Sequence, residues 1–176
     1  MSCMTKNLQE LVKALGDVRG FDRLLQKVWE AKRRLVMKGK KAPCLVRGER
    51  GIVFPARFCG TALITVVSAT PGKVICEMKV EEAHTNKMGT LHGGMIATLV
   101  DNISTMALLF TERGVPGVSV DMNIAYMSPA KLGEDILITA HILKQGKTLA
   151  FTSVDLTNKV TGKIIAQGRH TKHLGN

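Results

Sequence analysis

The sequence predicts an α+β domain in which an antiparallel β-sheet wraps one central buried helix, preceded by an N-terminal helical segment. Three observations carry that expectation. From Gly93 to Phe110 apolar side chains fall on nearly every face of a helical pattern. Four strand-like stretches separated by turn signals follow it, and a hairpin pattern precedes it. A helix that is apolar all round needs a sheet to cover it.

The elements justify themselves in order. Leu8, Leu11, Val12, Leu15 and Val18, then Phe21, Leu24, Leu25 and Val28, recur at spacings of three and four. Residues 1–27 are therefore expected to be helical, with Gly16 and Gly20 permitting a break. From Lys32 the pattern dissolves into cations interrupted by Gly39, Pro43, Gly48 and Gly51. Residues 28–63 read as a basic insertion, loop or disordered, with Ile52–Phe54 as a short extended piece. Ile64 to Ser68 is a β-branched run, and Thr70-Pro71-Gly72 signals a turn. Beyond it Val74, Cys76, Met78 and Val80 alternate with charged neighbours, which completes a hairpin. The helix is expected to end near Glu112-Arg113-Gly114, ahead of Pro116. Val118, Val120, Met122, Ile124 and Tyr126 then alternate with Ser119, Asp121 and Asn123, so the two sets are expected on opposite faces. Residues 136–143, 149–156 and 163–171 form the last strands. The domain of interest spans 64–176.

Asp101 is the strongest functional signal. It is the only charged residue between Lys87 and Glu112, and a lone carboxylate in an apolar helix costs several kcal/mol unless it is paired, protonated or wet. The bland reading is a solvent-facing Asp, or one bonded to Asn102. His92-Gly93-Gly94 at the helix start favours chemistry: glycines let a ligand approach, and free N–H groups there suit a developing negative charge. Gly93 N–H is a candidate oxyanion donor and Asp101 a candidate base or nucleophile. Eight helical residues separate them by about 12 Å, whereas groups acting on one carbonyl lie within about 3 Å of it. If both act, two antiparallel helices from two chains must supply them.

Composition bounds the remaining options. The 176 residues, 45% hydrophobic, suit one domain. No apolar run reaches membrane-spanning length, and the first residues lack a signal-peptide pattern. Cys3, Cys44, Cys59 and Cys76 have no metal-ligand spacing, and no metal site is expected. Reduced thiols inside a cell are the default reading. Of the net charge of +11, residues 28–63 hold +7, from nine Lys/Arg against Glu30 and Glu49. The remaining +4 is ordinary for a domain that binds phosphates, and no DNA or RNA is expected as partner. Lys38–Lys41 is a candidate polyanion or nuclear-import patch, and a non-catalytic scaffold acting through it is the rival from another class.

The ordered set H-T-N-x-x-G-T-L-H-G-G followed by A-T-L-V-D, residues 84–101, resembles the hotdog-fold acyl-CoA thioesterases of the phenylacetate-degradation-protein type. The resemblance covers about residues 1–27 and 64–176. It implies a hotdog fold and a homo-oligomer, a dimer of dimers. It implies hydrolysis of medium- to long-chain fatty acyl-CoA, with aryl-CoA as the nearby alternative, and no cofactor beyond the CoA of the substrate. It assigns the attack to Asp101, the oxyanion to Gly93, substrate or water orientation to Asn86, the thioester contact to His92 and water positioning to Ser119. Turn capping by Asn86, helix-start bonding by His92 and a structural Ser119 are the bland counterparts.

Two segments resemble nucleotide-binding segments of that family: Tyr126, Met127, Ser128, Pro129, Ala130 and Lys131, and Lys144, Gln145, Gly146, Lys147, Thr148 and Leu149. Lys131, Lys144 and Lys147 would meet phosphates, and His173 would reach the nucleotide. Solvated lysine turns are an equal alternative for any one of them. The resemblance further implies a phosphatidylcholine-transfer-type lipid-binding partner. It also implies a cytoplasmic location with mitochondrial association, the nucleus being the second option.

Overall fold

The computed structural model describes residues 56–58 and 62–175. The helical expectation for residues 1–27 and most of the basic segment lie outside them. Among the described residues run seven strands and one long helix: β1 (Ala56–Phe58), β2 (Ala62–Thr70), β3 (Lys73–Lys79), α1 (Gly93–Leu109), β4 (Val118–Tyr126), β5 (Asp135–Gln145), β6 (Leu149–Asn158) and β7 (Ile164–His173). A 3-10 turn at Glu82–His84 leads toward α1. The strands form one sheet in the order β1-β2-β3-β5-β6-β7-β4, antiparallel at every step. The loop expected through residue 63 therefore gives way to strand at Ala56–Phe58 and again from Ala62. Those residues find hydrogen-bonding partners along one edge of the β2 backbone.

The sheet curls around α1, which packs on β3, β4, β5, β6 and β7. Ile96, Leu99, Val100 and Ile103 through Leu109 are buried. Ile96, Leu99, Val100, Ile103, Met106 and Ala107 meet the inward sets of β3 (Val74, Cys76, Met78) and β5 (Ile136, Ile138, Ala140) in one core, and Leu108 packs with Ala150 and Leu174. The helix stops at Leu109, three residues short of the expected end. Phe110 leaves helical geometry (φ −83, ψ 0), and the Thr111 backbone and side chain both return to the Leu108 carbonyl. The tightened last turn closes the helix before Gly114 takes its positive φ of 58.

The close seat of α1 on β7 depends on Gly168. A Cβ there would lie 2.6 Å and 2.8 Å from the two γ-carbons of Val100, so only a glycine permits this contact.

β4 departs from strict alternation. Ser119 pairs with Lys172, but Asp121 pairs with Thr171, so one extra residue bulges between them. The bulge breaks the expected face assignment. Ser119 joins Met122, Ile124 and Tyr126 on the side that carries the helix, while Asp121 and Asn123 take the other. β4 is also one of the two edge strands among the described residues, with Val118, Val120 and Tyr126 each more than half exposed.

Candidate active site

His92 caps α1. Its Nδ1 accepts the Gly94 N–H at 2.9 Å, replacing an acceptor that the helix start lacks. With Nδ1 accepting, the neutral ring carries its proton on Nε2, an N–H donor beside the first turn. Gly94 makes room for this cap, since a Cβ would sit 3.0 Å from Nδ1. The Gly93 N–H has no hydrogen-bond partner among the described residues. Tyr126 donates to the Gly93 carbonyl at 3.3 Å and lays its ring against the Gly93 Cα. Asn86 adopts the turn-capping arrangement: Oδ1 accepts from Met88 N at 2.9 Å, and Nδ2 donates to Thr90 Oγ1 at 3.0 Å. It stiffens the loop that delivers His92 and Gly93.

Asp101 sits about two turns along the helix, where its carboxylate is both paired and wet. Its side chain is 44% exposed, because α1 leaves one face of its N-terminal half uncovered in the protomer. What lies behind Asp101 is polar: His170 and Lys172 are buried, and Ser119 is exposed. Ser119 Oγ is 3.3 Å, Lys172 Nζ 3.6 Å and His170 Nε2 3.7 Å from Asp101 Oδ1. All three approaches fall on Oδ1, and Oδ2 has no polar partner among the described residues.

His170 lies in the middle of this network. Its Nδ1 is 2.7 Å from Ser104 Oγ, whose hydroxyl reaches the Asp101 carbonyl at 2.9 Å. Its Nε2 is 2.9 Å from Ser119 Oγ, and the Ser119 hydroxyl donates to Asp101 Oδ1 at 3.3 Å. Burial pushes His170 below its ordinary pKa and the Lys172 charge pushes the same way, against the opposing pull of Asp101 and Asp121. Burial likewise lowers Lys172, with Asp101 opposing.

His170 and Lys172 are site residues that sequence reasoning missed. On β7 they continue the helix-facing set Ala166, Gly168, and their pairing with Met122 and Ser119 places them beside β4. The available signal was a His and a Lys at alternate positions where an inward face calls for apolar side chains.

Comparison with known proteins places this geometry. The Thioesterase superfamily model matches residues 88–165. Acyl-coenzyme A thioesterase 13 of Homo sapiens is 63% identical over 176 residues, covering all of both chains. The chain belongs to the thioesterase superfamily. A crystal structure of zebrafish thioesterase superfamily member 2 superposes with a TM-score of 0.67 at 55% identity, over 96% of each chain. A thioesterase protein from Streptococcus pneumoniae, solved with coenzyme A, superposes with a TM-score of 0.61 at 27% identity, over 64% of this chain and 86% of that one. The hotdog arrangement and the assignment as a thioesterase enzyme are thereby established.

Within one thioesterase protomer the two expected nucleotide segments lie at opposite ends of α1. Residues 126–131 run beside the His92 turn: Leu91 N donates to the Ala130 carbonyl at 2.8 Å, and Thr90 bridges Lys131. Met127 and Ser128 anchor to the Ile165 carbonyl, Pro129 links them to buried Ala130, and Lys131 is exposed. Residues 144–149 form the β5–β6 turn near the far end of the helix. Gly146 N donates to Leu149 O at 2.8 Å, and Arg113 donates to the Gly146 and Lys147 carbonyls. Gln145 reaches Thr111, Leu174 N donates to Thr148 O, and His173 pairs with Leu149. Lys144, Lys147 and His173 are exposed here. One protomer therefore does not gather Gly93, Asp101 and all the lysines into one pocket.

Proposed function

We propose that the protein hydrolyses acyl-CoA thioesters to free acid and CoA, with fatty acyl chains of medium to long length as substrate, at a site shared by two protomers. The observation that carries this reading is Asp101: a half-exposed carboxylate whose Oδ1 accepts from Ser119 and whose Oδ2 is left free. Oδ2 is the group that takes a proton from an attacking water. The attack forms a tetrahedral intermediate whose oxyanion meets the Gly93 N–H of the other protomer, with the His92 Nε2–H alongside. The C–S bond then breaks, and the departing thiolate recovers the proton from Asp101. Ser119 orients the water, and Asn86 holds the His92–Gly93 loop in place. No cofactor is required.

Two protomers are supported by the helix itself. Gly93 and Asp101 lie on one 17-residue α1, and the rise between them, about 12 Å, exceeds what one carbonyl can span. Antiparallel packing of two such helices brings one chain's Gly93 opposite the other's Asp101 and each chain's lysine turns toward a shared nucleotide. The names of the human relative and of the coenzyme A complex support the CoA ester.

The test is steady-state hydrolysis of palmitoyl-CoA beside a hydroxyphenylacetyl-CoA control, with native mass measured in parallel. Asp101→Asn is expected to lower kcat by at least about 100-fold in an intact dimer or tetramer. Full activity in that variant refutes the base assignment. Activity on the aryl ester alone transfers the substrate class to aryl-CoA.

A further inference from the structure

Lys172 is the part of the site that the reaction above leaves without a task. It is 4% exposed on the helix-facing side of β7, between Ser119 of β4 and Ala150 of β6 in the sheet register. Its ammonium donates to Thr105 Oγ1 and lies 3.6 Å from Asp101 Oδ1. Thr105 in turn donates to the Asp101 backbone carbonyl at 2.7 Å. The cation is thus tied to Asp101 twice, once through its carboxylate and once through the peptide group that bears it.

Burying an ammonium is strongly unfavourable unless an anion answers it, and a neutral side chain of similar length would fill the same space without that penalty. The anion that answers it here is itself only half covered. Stability alone gives no reason to place a buried cation beneath an exposed carboxylate. Fixing that carboxylate gives one, because a base aimed by a rigid partner loses no freedom when substrate arrives. His170 and Ser119 reach the same oxygen but are neutral, so Lys172 alone supplies charge.

We propose that Lys172 is a positioning residue of this thioesterase: its buried ammonium anchors Oδ1 of Asp101, leaving Oδ2 free to accept the proton of the attacking water. The proposal rests on the hydrolytic role of Asp101. It predicts that Lys172 acts through Asp101 and through charge.

Kinetics and thermal stability of the full-length oligomer with Lys172→Met, Lys172→Arg, Asp101→Asn and the double variant K172M/D101N test it. K172M is expected to lower kcat at least about tenfold with KM nearly unchanged, since the residue meets Asp101 rather than the substrate. K172R, which keeps the charge, is expected to recover most of that loss. On the D101N background K172M is expected to change the residual kcat by less than about twofold. Equal losses on both backgrounds, or an Arg variant no better than Met, overturn the proposal.

A readout independent of turnover uses the same proteins. D101N leaves the ammonium buried without its anion and is expected to lower Tm, and adding K172M is expected to restore it. If the double variant melts no higher than D101N, the anchoring is refuted whatever the activity. Absence of hydrolysis in the unmodified protein refutes the thioesterase reading by itself. An active protein whose K172M variant is unimpaired refutes only the role of Lys172.

Discussion

Gly168→Ala tests how the helix is seated on the site strand. The added Cβ would lie 2.6, 2.8 and 3.3 Å from Val100 Cγ1, Cγ2 and Cβ, against about 3.5–4.0 Å for relaxed carbon pairs. Val100 is fully buried and β-branched, so it cannot rotate away. The helix must then lift from β7 by about 1 Å, an overpacking cost of about 1–3 kcal/mol, read as a fall in Tm of about 3–10 °C. Val100 precedes Asp101, and Gly168 lies two and four residues before His170 and Lys172. The same lift therefore opens the 3.3–3.7 Å contacts around Oδ1, and kcat is expected to fall by at least about tenfold. Val100→Ala removes the two colliding γ-carbons. The double variant is expected to be more stable than the sum of the single losses by at least about 1 kcal/mol. Differential scanning fluorimetry and kcat on the four proteins decide it. Unchanged Tm in G168A, or strictly additive losses, would refute the steric argument.

Two further outcomes follow from buried titrating groups. His170 is held neutral in the fold below its ordinary pKa of 6.5, while the unfolded chain takes up the proton as pH falls through that value. The stability it contributes is present above about pH 6.5 and lost below it. His170→Asn is therefore expected to flatten the fall in Tm between about pH 7 and pH 5, and an identical fall in both proteins contradicts the assignment. Burial pushes the Cys76 thiol up to about 12, so iodoacetamide at about pH 8 should leave it unmodified in the native protein and alkylate it in urea. Peptide mass mapping reads both, and native labelling would mean the core opens.

The architecture was legible because its main signals are local. Leu99, Val100 and Ile103 announce a buried helix within two turns, and Val74, Cys76 and Met78 announce a strand within five residues. Asp101 stood out by isolation, and the Gly93–Asp101 spacing calls for two chains if both residues act on one carbonyl. What escaped is non-local. Lys172 and His170 meet Asp101 across about 70 residues of chain, and no spacing rule links a helix residue to a strand so far along. Their register beside Ser119 depends on a bulge that alternation cannot reveal. The exposure of Asp101 was not legible for a related reason. An apolar helix composition says that most faces are covered, not which face the curl of the sheet leaves open. The N-terminal edge of the domain was blurred because the pairing of Ala56–Phe58 with β2 comes from a segment that reads as loop.

The bulge in β4 carries a consequence for variation. A regular strand repeats its tolerance every second residue, so substitutions at one parity are harmful and at the other harmless. Here the helix-facing positions run 119, 122, 124, 126, a step of three and then steps of two. A complete substitution scan of residues 118–126 scored by turnover would show that phase slip as a signature. The slip lets a serine that strict alternation would turn away share a face with His170 and Lys172 beside Asp101. Val120 is therefore set apart by its place in the count rather than by its chemistry, and many side chains should serve there as long as one is present.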